Sequence, residues 1–197
     1  MSVTRDRKRS RERPRDAIAS GVSGMIDRVN GFFGQLASWL VVLMVLVGAF
    51  NAVARYLGRY IGVNLSSNAY LELQWYLFSL VFLLGGAYAL RVGAHVRVDV
   101  FYERASPRVR RWVNVLGALL LLLPFTLFTI WVATPFVRNS WRVLEGSPDP
   151  GGLPRFPLKT MVIVGFALIA LQGISELIKE FRGLRDERGT DGSPPIL

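Results

Sequence analysis

Hydrophobic residues occur in four long blocks of the sequence, and the charged residues lie between these blocks. A water-soluble domain would instead distribute its apolar residues with a period of about 3.6 or 2. The blocks predict an all-α integral membrane protein with four transmembrane helices, at about 36–54, 71–90, 112–137 and 160–178. In the second block, the stretch from Glu72 to Arg91 is roughly 28 Å long as a helix, close to the hydrocarbon thickness of about 30 Å.

Polar segments flank this membrane domain, which we predict to cover residues 17–182. Residues 1–16 carry seven Lys/Arg against three acidic residues. A nucleic-acid-binding tail is one interpretation, but membrane spans follow, so we predict a disordered basic tail attracted to anionic lipid. Residues 183–197 are also polar and predict a second disordered tail. Between the basic tail and the first span, apolar residues from Ile18 to Phe33 fall roughly on one helical face, which indicates an interfacial helix.

Lysine and arginine are unevenly divided between the two sides of the predicted membrane domain. With both termini in the cytoplasm, 18 of the 24 Lys/Arg fall on the cytoplasmic side and six on the outer side. The positive-inside rule therefore predicts cytoplasmic termini and a cytoplasmic loop at 91–111. The loops at 59–68 and 138–159 are predicted to face outward.

Several classes of protein are excluded by the residues that the chain lacks. It contains no cysteine, so it has no disulfide, no thiolate nucleophile and no iron–sulfur cluster. Its single histidine, His95, cannot provide a bis-histidine haem site. No span carries a charge near its centre, whereas a carrier's own site needs polar groups or broken helices near the bilayer midplane. The pattern predicts an accessory membrane subunit that is not an enzyme and has no cofactor, metal site or catalytic residue.

Glu72 is the acidic residue at the outer end of the second span, close to Trp75. A carboxylate at mid-membrane costs about 2.5–3.5 kcal/mol on insertion scales, so a position at the edge is much cheaper. Three interpretations are open. The carboxylate caps the helix start, pairs with Arg55 or Arg59 across the short turn, or contacts a partner subunit together with Trp75.

Small residues recur every four positions along the second span. Gly85 and Ala89, followed by Gly93 at the same spacing, share a helical face. Small side chains allow two membrane helices to approach closely. We therefore predict that Gly85 and Ala89 belong to a contact with a partner subunit.

The outer loop at 138–159 is rich in proline and glycine, and its four basic residues outnumber its two acidic residues. The prolines disfavour regular helix in this loop. A restrained loop that presents Arg138, Arg142 and Arg155 suits a transient partner with acidic patches, because such charges speed encounter and set register. The alternative interpretation is that these arginines bind lipid headgroups.

Four sequence motifs in this order resemble one known family. The motifs are NAYLELQWYLF, GAHVRVDV, SWRVLEGSPDPGGLPRFPLK and LQGISELIK. They resemble the small membrane subunit of tripartite ATP-independent periplasmic (TRAP) transporters, and especially the branch for mannitol, chloroaromatic or α-keto-acid uptake. The resemblance covers residues 30–182, which is most of the chain.

The resemblance implies a multi-pass protein of the bacterial inner membrane. Its partners would be a large permease subunit, which carries the substrate and sodium sites, and a periplasmic binding protein that delivers an organic acid. The alternative hypothesis from another class is a membrane anchor of a redox complex that passes electrons to quinone. Membrane lipid is a further expected partner, and nucleic acid is not.

Overall fold

The computed structural model describes residues 14–63, 65–94 and 105–190. All regular structure in these residues is helical. The helices are α1 (Pro14–Ile61), α2 (Asn68–Arg91), α3 (Pro107–Gly117), a π-helical turn (Ala118–Leu122), α4 (Leu123–Arg142) and α5 (Phe156–Thr190). Four helical stretches in these residues are long and apolar enough to cross a membrane. This confirms the predicted all-α membrane fold with four spans. His95 lies outside the described residues.

Helix α1 is much longer than a bilayer is thick. Its 48 residues extend roughly 72 Å at the helical rise. The interfacial helix expected before the first span is therefore not a separate element, because the same helix continues from Pro14 into the membrane. The hydroxyl of Ser175 in α5 lies 3.4 Å from the carbonyl oxygen of Ser23, and its shorter hydrogen bond, at 2.9 Å, goes to Asp27. Both contacts hold this early part of α1 against α5.

Helices α1 and α2 pack as an antiparallel pair in which small residues of α1 make room for side chains of α2. The contacts keep one register along the pair: Gly31 with Arg91, Gly34 with Tyr88, Ala37 with Gly85, and Gly48 with Gln74. The closest is at Gly34, where a Cβ atom would lie 2.3 Å from Tyr88 Cγ. Glycine at 34 is therefore required by the approach of the tyrosine ring.

Helix α5 is the central helix and packs against each of the other helices. Leu84 and Ala87 of α2 and Leu168 of α5 form the buried apolar core, and Phe33, Leu36 and Leu40 of α1 pack against it. The helix continues to Thr190, eight residues into the segment for which disorder is predicted. Leu184 in this extension is only 7% exposed, and Glu180 just before it binds Arg111 of α3, with 3.4 Å between the charged atoms.

The third span is continuous from Pro107 to Arg142 and contains a π-helical turn rather than a sharp break. Ser106 caps its start by accepting a hydrogen bond from the Val109 N–H, and Pro107 follows at the first helical position. Pro124 has no N–H to donate and crowds the preceding turn. The π turn ends at Leu122, two residues before Pro124, so the irregularity that a proline inside a helix causes lies just ahead of it.

Candidate functional site

The outer loop between α4 and α5 folds over the start of α2 and is fastened there by Glu72. The Glu72 side chain is 3% exposed. Its carboxylate accepts hydrogen bonds from the Ser147 hydroxyl and from the backbone N–H of Leu153. Glu72 does not cap the start of α2, as one interpretation of the sequence had it: Ser67 does so by accepting a hydrogen bond from the Ala69 N–H, and Glu72 lies beyond the first turn. Glu72 therefore joins two parts of the chain that lie far apart in sequence.

Two further side chains of α2 bind the same loop. Asn68 Nδ2 donates to the carbonyl of Pro150 at 3.1 Å, and the Tyr76 hydroxyl donates to the carbonyl of Leu153 at 3.2 Å. Asn68, Glu72 and Tyr76 are spaced four residues apart, so they share one face of α2. We call residues 143–155, held by these three side chains, the braced loop.

Glu145 forms a second brace inside the loop. Its carboxylate pairs with Lys159 of α5 and accepts a hydrogen bond from Ser140 of α4 at 2.7 Å. The hydrogen bond from Lys159, with the one from Ser140, lowers the pKa of Glu145 below its ordinary value. The carboxylate therefore remains ionised further into the acid range and keeps the end of α4 tied to the start of α5. The Glu145 carbonyl also accepts from the Arg155 N–H at 2.8 Å.

The backbone of the braced loop depends on glycine at two successive positions. Gly151 has φ +73°, a left-handed conformation that favours glycine. At Gly152 a Cβ atom would lie 2.4 Å from Ser147 Cβ and 2.7 Å from Glu72 Oε2. The Gly-Gly pair therefore allows the loop to turn and to approach the carboxylate closely.

The predicted partner contacts at the start of α2 have separate positions in the structure. Glu72 is buried under the braced loop, whereas Trp75 is 41% exposed. The guanidinium of Arg155 lies 5.9 Å from the centre of the Trp75 ring. Arg155 also attracts the Glu72 carboxylate electrostatically, a role that the sequence analysis had given to Arg55 or Arg59. Direct contact of Glu72 with a partner subunit stays a prediction, and the bonds that the carboxylate makes here are internal.

The predicted small-residue face lines an apolar groove. The groove has a volume of about 650 Å³ and lies between α2 and α4, with α5 as its floor. Gly85 and Ala89 belong to its α2 wall, and Phe166 and Ile169 to its floor. Gly93 lies in the turn after α2, with φ +65°, and does not extend this face. Nearly all of its lining residues are apolar, which suits contact with apolar side chains of another membrane helix.

The three arginines predicted to dock a binding protein differ in their surroundings. Arg138 and Arg142 are exposed, one turn apart, at the outer end of α4. Arg155 is half-buried and lies against Trp75. Arg138 and Arg142 are therefore accessible to a partner, while Arg155 also belongs to the internal packing of the braced loop.

A second polar cluster lies between α1 and α5. The sequence did not predict that its side chains meet. Asn30 and Gln172 are fully buried, and the Asn30 amide donates to Gln172 Oε1 at 2.6 Å. Gln172 and Ser175 both donate to Asp27, which pairs with Lys179 at 2.9 Å. The local signal was a stripe of polar residues, Gln172, Glu176 and Glu180, around the end of the predicted fourth span. Among the described residues, no group of three His, Cys, Asp or Glu side chains could hold a metal ion.

These observations define a four-helix membrane protein whose polar interactions are concentrated at the two ends of its spans. The family described as "Tripartite ATP-independent periplasmic transporters, DctQ component" matches residues 44–183. The chain therefore belongs to this family. It is the small permease subunit of a TRAP transporter, an inner-membrane transport protein rather than an enzyme.

Two curated relatives agree with this assignment. The ectoine TRAP transporter small permease protein TeaB of Halomonas elongata is 26% identical over 164 residues, which cover 81% of each chain. The C4-dicarboxylate TRAP transporter small permease protein DctQ of Pseudomonas aeruginosa is 31% identical over 121 residues, which cover 56% of each chain. No solved structure matches the chain. Membership of a transporter family displaces the quinone-linked anchor as an explanation.

Proposed function

We propose that this subunit scaffolds the large permease subunit of a sodium-coupled TRAP transporter for organic acids and helps to dock the periplasmic binding protein. The observation that carries the scaffolding role is the apolar groove lined by Gly85 and Ala89, because small residues on a membrane helix permit close contact with a second helix. The uncharged centres of the four spans support it, since they offer no charged substrate site.

The chemical class of the substrate is proposed from the relatives. One relative is named for C4-dicarboxylates, which are organic acids, and the other for ectoine. The mannitol, chloroaromatic or α-keto-acid branch stays a prediction. Selectivity and sodium coupling would reside in the large subunit, so this chain contributes assembly and docking.

Ala89→Leu tests the scaffolding role. The larger side chain fills part of the groove, and overpacking of a close contact costs about 1–3 kcal/mol. We expect less large subunit to co-purify with a tagged chain, and uptake to fall in parallel. Ala52→Leu, the same enlargement at an exposed position of α1, is the control and should leave both quantities unchanged. Normal co-purification with lost uptake would contradict a purely scaffolding role.

The docking role is carried by Arg138 and Arg142, and we predict that reversing both charges to glutamate weakens docking. The concentration of binding protein required for half-maximal uptake in proteoliposomes should rise several-fold at low salt, and the dependence on salt should weaken.

The same reversal at Arg55 and Arg59 is the matched control for this docking experiment. These two arginines are also exposed, one turn apart, and predicted to face outward. An equal effect of both pairs would show that general surface charge matters rather than docking on α4. Unchanged uptake by the Arg138/Arg142 variant at limiting binding protein would remove these arginines from the docking surface.

A further inference from the structure

Helix α1 carries an apolar stripe that is exposed at most of its positions, although Leu36 packs against the core and Phe50 against Tyr70 of α2. Its positions alternate spacings of four and three residues, a heptad pattern typical of helices that pack along another helix. All of them except the partly buried Leu36 are at least 39% exposed. We call this set the α1 seam: Ile18, Val22, Met25, Val29, Phe32, Leu36, Trp39, Leu43, Leu46, Phe50, Val53, Leu57 and Tyr60.

In the first part of the seam, from Ile18 to Phe32, the pattern distinguishes one helical face from the others, because the residues between the seam positions are mostly small or polar. Ile18, Met25 and Phe32 are each more than 60% exposed. The residues between the seam positions are mainly glycine, serine, alanine and charged residues, and the one large apolar exception, Ile26, is buried. The exposed apolar side chains in this segment are thus restricted to the seam.

The register of α1 against α2 shows where this first part lies relative to the membrane. Arg91 closes the uncharged run of α2 and contacts Gly31 of α1. Ile18 precedes Gly31 by 13 residues, which is roughly 20 Å of helix. The headgroup layer adds only about 5–8 Å to each side of the hydrocarbon core. The segment around Ile18 and Val22 therefore projects beyond the lipid on the predicted cytoplasmic side.

Helix α5 holds the projecting segment in this direction. Ser23 and Asp27 are bonded to Ser175 and Lys179 of α5, and the Lys179–Asp27 pair has 2.9 Å between its charged atoms. Rotating the segment flat onto the membrane surface would break these bonds. The seam would then face water unless another protein covers it, and exposed apolar stripes of this kind mark interaction sites.

We propose that the seam from Ile18 to Phe32 binds a helix of the large permease subunit that extends from the membrane into the cytoplasm and carries acidic residues beside its apolar face. The seam continues across the membrane, so its partner must also be embedded there. Exposed Arg28 lies one turn from both Met25 and Phe32, and residues 1–16 carry a net charge of +4. These charges repel a second copy of this chain and favour an acidic partner. The inference rests on the proposed scaffolding function.

Single cysteines test whether the seam is covered, because the chain has none of its own. Met25→Cys places a fluorescent label on the seam. Gly24→Cys places one beside it, where a side chain meets no atom within 4 Å. In liposomes that hold this chain alone, aqueous iodide should quench both labels. With the large subunit present, quenching at position 25 should fall several-fold and quenching at position 24 should not change.

Three outcomes would overturn the inference. Protection of position 25 in the chain alone at low protein density would mean that the membrane surface covers the seam. Protection that appears only at high density would mean that a second copy covers it. Equal quenching with and without the large subunit would mean that no helix of that subunit binds there.

A second pair of variants separates failure of this inference from failure of the proposed function. Met25→Glu puts a charge on the seam, and Gly24→Glu puts the same charge next to it. We expect only Met25→Glu to reduce recovery of the large subunit several-fold, at equal abundance of this chain in the membrane. If the unaltered chain recovers no large subunit, the scaffolding function itself fails. If both variants recover it fully, only the role of the seam fails.

Discussion

Replacing Glu72 with alanine is expected to release the braced loop from α2 while the four spans remain inserted. The carboxylate holds the Ser147 hydroxyl and the Leu153 N–H, so its removal leaves both donors without this acceptor. Backbone hydrogen exchange of residues 147–153, measured by mass spectrometry on the purified protein, should become faster by about tenfold or more. This is the change expected when a hydrogen bond to a charged group is lost. Binding-protein-dependent uptake should fall with it, because the braced loop adjoins Arg142, one of the two arginines proposed to dock the binding protein.

Two variants define what the Glu72 experiment measures. Glu72→Gln retains one oxygen acceptor but turns an amide donor toward another donor, so its effect should be intermediate. Asp149→Ala removes an exposed carboxylate from the same loop, and among the described residues no bond to that side chain is found. If Asp149→Ala quickens exchange as much as Glu72→Ala, the loop is held by its overall charge and the brace has no special role.

Gly34→Ala is expected to destabilise the α1–α2 pair, although it adds a single methyl group. The new Cβ would lie 2.3 Å from Cγ, 2.5 Å from Cδ2 and 2.8 Å from Cβ of Tyr88. These atoms are at the base of the tyrosine side chain, next to the backbone. The ring cannot swing away as the tip of a long side chain could, so the helices must separate. The expected cost is about 1–3 kcal/mol, measured as a lower midpoint of unfolding in detergent.

The same helix provides the control for the Gly34 experiment. At Gly24 an added Cβ meets no atom within 4 Å, so Gly24→Ala should be neutral or should stabilise by up to about 1 kcal/mol through helix propensity. Tyr88→Ala should restore most of the stability that Gly34→Ala loses. Equal stability of the two glycine variants would disprove the antiparallel register of α1 and α2.

The number of spans was predictable because membrane insertion depends on hydropathy, which each block of the sequence carries by itself. The ends of α1 and α5 were not predictable in the same way. Their extensions stabilise each other through bonds between residues distant in sequence, such as Asp27 with Lys179, 152 positions apart. A local pattern shows that such side chains are polar, but not which of them meet.

The bonding partners of Glu72 were likewise not predictable from the sequence around it. Its low cost at a membrane edge and its place near a helix start were both readable from the sequence. Its bonding partner Ser147 lies 75 positions away, whereas Arg55 and Arg59, the expected partners, are nearer in sequence. The spacing of Asn68, Glu72 and Tyr76 was the available signal, since three polar groups on one face of an apolar helix indicate a common partner.

The central place of α5 has a consequence for biosynthesis. A ribosome completes α1 and α2 long before α5, so Asp27 and Asn30 enter the membrane region before Lys179 and Gln172 exist. The braced loop likewise follows Glu72 by more than 70 residues. During this interval the nascent subunit presents unpaired polar groups at both faces of the bilayer. Quality-control proteases could therefore recognise a chain that stalls before α5, and arrival of that helix would complete both polar clusters.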